Sequence, residues 1–172
     1  TLETLPKPVL FAHRGAKAHA PENTLSSFRL AVEHGADAIE LDVKLTRDGE
    51  VVVLHDAALD RTTNGRGLLK DHSFAQVRAL DAGSWFSADF AGEKVPTLAE
   101  VFEAVGQQLF INIELTNYTT PRDALVEKVV ELVRQHHMED NVLFSSFLSL
   151  NILKVKRWMP DVPAGLLAEA GW

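Results

Sequence analysis

Strict alternation between apolar and polar residues marks one segment of the chain very clearly. From Ala38 to Leu45, apolar side chains fall on every second position, and Glu40, Asp42 and Lys44 occupy positions between them. Successive side chains of a β-strand point to opposite faces. The pattern therefore predicts a strand with one apolar face and one charged face.

The rest of the chain shows short apolar runs separated by segments of helical periodicity. The apolar runs predict further strands over residues 9–12, 51–54, 109–115, 141–145 and 164–168. Helices are predicted to begin at Pro21–Asn23, at the capping box Thr97–Glu100, at Thr120–Pro121 and at Leu150. A tight turn is predicted at Asp48–Gly49.

Strands that alternate with helices predict parallel pairing and an α/β fold, either a doubly wound sheet or a TIM-type (β/α)8 barrel. Residues 57–96 lack long periodicity and hold four glycines and several aromatic residues, so we expect an insertion with its own small cluster after the third strand. A whole barrel takes about 250 residues. The 172 residues therefore predict one domain, an incomplete barrel of about six of eight strand–helix units.

Composition narrows the classes of function. The chain has 46% hydrophobic and 24% charged residues, a net charge of -7 and no cysteine. Scattered basic residues argue against nucleic-acid binding, and the absence of thiols leaves His, Asp or Glu as metal ligands. No apolar run approaches the roughly 18 residues that a membrane span requires, so no stable membrane insertion is expected. We expect a cytoplasmic protein, with export after removal of a leader left open; the oligomeric state is not predicted.

Three acidic side chains are the first candidates for chemistry. Glu40 and Asp42 share one face of their strand, about 6.6 Å apart along the backbone. The alternation over 109–115 places Glu114 on the inner face of its own strand. Converging carboxylates repel each other unless a cation neutralises them, and oxygen ligands favour Mg²⁺ or Ca²⁺. The alternative is that each acid pairs with a basic residue such as Lys44 or Arg14.

Two histidines and an arginine are the next candidates. His13 and His55 each end a predicted strand, where parallel α/β folds carry catalytic groups, and they suit an acid and a base. A purely structural role for either histidine stays open. Arg14 could bind phosphate through two hydrogen bonds or pair with a carboxylate. Asn23 either caps its helix or joins the polar residues at the strand ends.

These residues stand in motifs that resemble the glycerophosphodiester phosphodiesterase family. The matching stretches are HRGAKAHAPENTLSSF at 13–28, GADAIELDVKLTRDGEVVVLHDAALDRTTNG at 35–65, LDAGSWF at 80–86, INIE at 111–114 and SSF at 145–147. The resemblance implies a (β/α)8 barrel that hydrolyses small-molecule glycerophosphodiesters, such as glycerophosphocholine or glycerophosphoethanolamine, to glycerol 3-phosphate and an alcohol. It also implies a general acid/base pair of His13 and His55, phosphate binding by Arg14, and one Ca²⁺ or Mg²⁺ ion held by Glu40, Asp42 and Glu114. Which histidine is the base stays open, with His13 favoured.

The chain departs from the family pattern in two places. Thr116 stands where many members carry a lysine, so one phosphate-binding cation is either missing or supplied elsewhere. The final two strand–helix units have no counterpart. Two other functions therefore stay open, a non-catalytic phosphate-binding domain and a phospholipase D-like enzyme acting on lipid headgroups.

Overall fold

The computed structural model describes residues 1–168. The strands are β1 Phe11–His13, β2 Ala38–Leu45, β3 Val51–Val53, β4 Phe110–Leu115, β5 Val142–Ser146 and β6 Ala164–Leu166. The helices are α1 Leu25–Glu33, α2 Phe74–Ala79, α3 Leu98–Val105, α4 Leu125–Gln135 and α5 Ser149–Trp158. None of these helices is long and apolar enough to cross a bilayer.

Five strands form a parallel sheet in the order β1-β2-β4-β5-β6. Helices cover one face of this sheet, and β1 and β6 are its edges among the described residues. Since all five strands run the same way, their carboxyl ends meet at one edge of the sheet. In parallel α/β folds this edge is where functional side chains collect.

The predicted third unit is not a parallel one. β3 pairs antiparallel with β2, so the count of about six parallel units is wrong and five are present in residues 1–168. The physical reason is the length of the connection, because five residues separate β2 from β3 and a parallel crossover needs a dozen or more. The turn closes through a hydrogen bond from Thr46 N to Glu50 O, with Gly49 at a φ of +84°.

The core lies between the sheet and its helices. The apolar faces of β2 and β4 are fully buried and pack against α1, α3 and α4, with Phe28, Phe102, Val129 and Phe144 filling the layer. The capping box predicted for α3 is present, since Thr97 Oγ1 accepts from Glu100 N and Glu100 Oε2 from Thr97 N. Because the apolar face of each central strand packs against the helices, the polar face of the same strand points toward the barrel interior.

Helix α4 begins later than the prediction at Thr120–Pro121. Residues 117–123 form successive turns instead, and Asp123 Oδ1 accepts a hydrogen bond from the N–H of the first helical residue, Leu125, at 3.1 Å. Asn117 Nδ2 donates to the same oxygen at 2.7 Å. Side-chain hydrogen bonds of Asn and Asp compete with the helical pattern, which delays the start of the helix.

Residues 57–96 lie between β3 and α3 and contain α2 and a second apolar cluster. The cluster is mainly aliphatic, with Leu54, Leu59, Leu69, Val77 and Val95 buried in it and Phe74 packed against it. Of the predicted aromatic members, Trp85, Phe86 and Phe90 instead form a row of edge-to-face pairs, and Trp85 is 40% exposed. The Trp85 indole can occupy this partly exposed position because its one polar atom, Nε1, donates a hydrogen bond to Ala82 O.

Candidate active site

The structure brings together the three predicted acids. Asp42 on β2 and Glu114 on β4 are direct partners across the two parallel strands, and Glu40 lies one step deeper on the same face of β2. One carboxylate oxygen from each residue can be chosen so that all three lie within 4.8 Å of one another. Asp42 is 1% exposed and Glu40 is 7% exposed. Glu114 is partly buried, so the group is a largely buried cluster that carries three negative charges when every acid is ionised.

The electrostatics of this cluster are unfavourable without a cation. Burial, together with the charges of Asp42 and Glu114, raises the pKa of Glu40 to about 8. Burial also raises the pKa of Glu114, although Tyr118 Oη donates to its Oε1 at 2.6 Å. Glu40 Oε1 is buried and has no hydrogen-bond partner among the described residues. The donor set and this orphaned oxygen fit a hard divalent cation.

The alternative of separate ion pairs fits only one of the acids. Arg14 Nε lies 3.4 Å from Asp42 Oδ2. Within residues 1–168, Glu40 and Glu114 have no Lys or Arg side-chain nitrogen within 4.0 Å. Among the described residues, two of the three carboxylates are thus left without a Lys or Arg partner, so ion pairs with lysine and arginine do not explain the cluster.

The loop after β1 supplies the next part of the site. Arg14 and Asn23 both adopt left-handed backbone conformations, with φ of 59° and 56°, and Asn23 N donates to Arg14 O. Arg14 N donates to Glu40 Oε2 at 3.1 Å, and Asn23 Nδ2 donates to Asp42 Oδ2 at 2.9 Å. Of the two roles expected for Asn23, the structure shows contact with the acidic cluster, while Thr24 caps α1.

Both candidate histidines lie beside β2 at the level of its acids: His13 is opposite Glu40, and His55 follows Leu54, whose N donates to Asp42 O. His13 Nε2 is 3.5 Å from Glu40 Oε2, and the Lys17 ammonium lies 2.8 Å from His13 Nδ1. Burial and the charge of Lys17 lower the pKa of His13, and His55 contributes to the same shift. His55 Nδ1 is 2.6 Å from Asp56 Oδ1. An ionised carboxylate only accepts hydrogen bonds, so this contact assigns the proton to Nδ1 and leaves Nε2 to face other groups.

A buried lysine occupies the position next to Thr116. Lys44 Nζ donates to Thr116 O at 2.8 Å and to Thr116 Oγ1 at 2.6 Å, and it lies 5.9 Å from the centre of the Tyr118 ring. Burial lowers the pKa of Lys44 to about 8. The polar face of β2 therefore carries Glu40, Asp42 and Lys44 in order toward the carboxyl end of the strand.

Several side chains around the site were not predicted from the sequence. Glu22, Asp56 and Arg61 form a connected group of ion pairs beside Arg14 and His55. Tyr118 was also missed, because it reaches Glu114 from the loop that follows the same strand. In the sequence, only Asp56 could have been suspected of contacting the site, because it directly follows His55. The contacts of Glu22, Arg61 and Tyr118 depend on loop conformations.

Comparison with known proteins identifies relatives along almost the whole chain. Residues 13–171 match the glycerophosphoryl diester phosphodiesterase family. A glycerophosphodiester phosphodiesterase of Caldanaerobacter subterraneus is 43% identical over 96% of this chain and 68% of its own length. Human glycerophosphodiester phosphodiesterase 1 is 37% identical over 90% of this chain and 47% of its own length.

Solved structures show the same fold. A phosphodiesterase of Oleispira antarctica, in complex with the product sn-glycerol-3-phosphate, has a TM-score of 0.91 and 36% identity over 98% of this chain and 68% of its own. A glycerophosphodiester phosphodiesterase of Agrobacterium tumefaciens has a TM-score of 0.83 and 37% identity, covering 91% of this chain and 65% of that one. The chain therefore spans only part of the length of the relatives it matches.

The similarity confirms the predicted fold class, a TIM-type α/β barrel, of which the described strands form an open portion. It also accounts for the motif pattern, since the family match covers both candidate histidines and all three acids. The chain belongs to the glycerophosphoryl diester phosphodiesterase family.

Proposed function

We propose that the protein carrying this chain hydrolyses glycerophosphodiesters to sn-glycerol 3-phosphate and an alcohol, with the help of one divalent cation. The observation that carries the proposal is the largely buried cluster of Glu40, Asp42 and Glu114 beside His13 and His55. The Oleispira antarctica relative, which was solved with sn-glycerol-3-phosphate, supports the class of product. Glycerophosphocholine and glycerophosphoethanolamine are the substrates with which we expect activity.

Glu40, Asp42 and Glu114 would hold the cation, Mg²⁺ or Ca²⁺. When bound, such an ion offsets the charge of the three acids and withdraws electron density from a phosphate oxygen. The raised pKa of Glu40 and the lack of a hydrogen-bond partner for its Oε1 support this role. Both follow from a carboxylate whose negative charge the described residues do not neutralise.

Arg14 and Lys44 are the proposed cationic ligands of the phosphate. Arg14 uses Nη1 to contact Glu22 Oε1 at 3.0 Å, which leaves its Nη2 protons for a substrate oxygen. Lys44 uses two of its three protons on Thr116 and keeps one. The lysine two residues beyond the third acid is absent here, and Lys44 offers its charge from the neighbouring strand.

His13 and His55 are the proposed proton carriers. The lowered pKa of His13 favours its neutral ring, which can take the proton of the attacking hydroxyl. His55, oriented by Asp56 at Nδ1, would enter the reaction with a proton on each ring nitrogen and deliver the one on Nε2 to the oxygen of the departing alcohol. The phosphorus–oxygen bond to the alcohol breaks as the attacking oxygen bonds to phosphorus, so one proton is removed and one is supplied.

Release of glycerol 3-phosphate from glycerophosphocholine tests the proposal. We expect turnover with Mg²⁺ or Ca²⁺, loss of turnover with a chelator, and a fall of at least about 100-fold in His13→Ala and in His55→Ala. A transient cyclic phosphate would identify the substrate's 2-hydroxyl, rather than water, as the attacking group. Binding of glycerol 3-phosphate without turnover would instead indicate a phosphate-binding domain, and release of headgroups from phospholipid vesicles alone would indicate a phospholipase D-like enzyme.

A further inference from the structure

Arg61, near the start of the insertion, joins two acids that come from distant parts of the chain. Its Nε and Nη2 donate to Oδ2 and Oδ1 of Asp56 at 2.7 and 2.9 Å. Its Nη2 and Nη1 donate to Oε1 and Oε2 of Glu22 at 2.8 and 2.9 Å. One guanidinium thus forms a two-pronged contact with each carboxylate. We call Arg61, Asp56 and Glu22 together the arginine clamp.

Each acid of the arginine clamp also contacts a candidate active-site residue. Asp56 Oδ1 is 2.6 Å from His55 Nδ1, and Glu22 Oε1 accepts from Arg14 Nη1 at 3.0 Å. The clamp is therefore a continuous chain of charge-assisted hydrogen bonds from the proposed proton donor to the proposed phosphate ligand. It fixes both oxygens of Asp56, which determines where the ring of His55 points.

The chemistry of the guanidinium is required for this arrangement. Arg61 uses four of its five N–H groups, which lie in one plane and point in the directions of the two carboxylates. A lysine ammonium is a point charge with three donors and cannot make four contacts in two directions. Substitution of Arg61 by lysine therefore keeps the charge and removes the geometry.

We propose that Arg61 is a positioning residue that holds His55 and Arg14 in a common alignment through Asp56 and Glu22. This inference rests on the proposed function, because it gives the arginine a role in that reaction. The Arg61 side chain is 43% exposed, but its paired contacts with two carboxylates form a network that also adds stability, so kcat and unfolding temperature have to be measured separately. A positioning role and a structural role consequently predict different results.

The test compares Arg61→Lys with the matched control Arg78→Lys in the protein that carries this chain. Arg78 also makes a two-pronged contact, with Glu100 at 2.8 and 2.5 Å, but that pair contacts neither histidine. We expect kcat for glycerophosphocholine to fall by about ten- to hundredfold in Arg61→Lys, because a small misalignment of catalytic groups has effects of that size. Arg78→Lys should keep the wild-type kcat, and both variants should unfold at similar temperatures.

Nitrogen NMR of the His55 ring provides a readout that does not require turnover. In its neutral form, the wild-type ring should carry its proton on Nδ1, and the neutral ring in Arg61→Lys should be a mixture of the two tautomers. Wild-type kcat and an unchanged His55 signal in Arg61→Lys would overturn the positioning role. A loss of kcat matched in Arg78→Lys would do the same. If the wild type hydrolyses no glycerophosphodiester, the proposed function fails, while the NMR result still decides whether Arg61 sets the His55 tautomer.

Discussion

Lys44 on β2 donates a hydrogen bond to Thr116 Oγ1, at 2.6 Å, across the gap between two neighbouring strands. Its ammonium therefore lies beside position 116, where many members of the family carry a lysine and this chain carries a threonine. The side chain also shares the polar face of its strand with Asp42. A positively charged side chain is thus present at this part of the site, although it comes from β2 rather than from the end of β4.

Replacing Lys44 by methionine should weaken the binding of sn-glycerol 3-phosphate. A charge-assisted hydrogen bond contributes about 1.5–3 kcal/mol, so we expect binding about ten- to hundredfold weaker by calorimetry. The second substitution Thr116→Lys in the same protein should restore most of the affinity, because it returns the charge from β4. Lys70→Met is the control, since Lys70 is exposed in the insertion. Unchanged affinity in Lys44→Met would exclude the phosphate contact.

The apolar layer between sheet and helices should control stability. Phe144 on β5 is fully buried in the main core, and Phe147, three residues later, is 45% exposed. We expect Phe144→Ala to lower the free energy of unfolding by about 3–5 kcal/mol, through lost burial and the cavity left behind. Phe147→Ala should lower it by about 1 kcal/mol or less. Urea unfolding measures both, and equal losses would contradict the layer described here.

Asp81 should make stability depend on pH. Its carboxylate accepts hydrogen bonds from the backbone of Ser84, Gly92 and Gly83, which hold the pKa of Asp81 far below its ordinary value of 3.8. A lowered pKa in the folded state adds stability above pH 3.8, and that stability is lost as the pH falls further.

The variant Asp81→Asn isolates this contribution. It should unfold at a lower temperature than the wild type at pH 7, and the difference should narrow as the pH falls below about 4. Asp89→Asn provides the control, because Asp89 is an exposed acid of the same insertion. A constant difference from pH 7 to pH 3 would mean that the Asp81 carboxylate is not held in its ionised form.

Much of the site could be predicted because it follows from alternation along two strands. The period of two places Glu40, Asp42 and Glu114 on inner faces, and parallel pairing then sets Asp42 opposite Glu114, with Glu40 one step deeper. The parallel pairing expected of β3 was wrong because a short apolar run has the same pattern in a parallel strand and in a hairpin. The tight turn at Asp48–Gly49 was the signal that distinguished them.

The arginine clamp could not be predicted for a different reason. Glu22 and Arg61 are 39 residues apart, and both lie in loops whose conformations no periodic pattern specifies. In the sequence, Arg61 begins the polar run 61–65, which predicts a turn and by itself indicates only a structural role for the arginine. Contacts of this kind depend on how one loop folds over another, so they become visible only in three dimensions.

Metal binding to the protein that carries this chain is the measurement that tests the account most directly. Titration calorimetry with Mg²⁺ and with Ca²⁺ should show one ion bound per chain in the wild type. Glu40→Gln should weaken that binding by at least about tenfold, and Glu103→Gln, a change of an exposed acid on α3, should leave it unaltered. Absence of binding in the wild type, or equal affinity in Glu40→Gln, would contradict the proposal that Glu40, Asp42 and Glu114 hold a divalent cation.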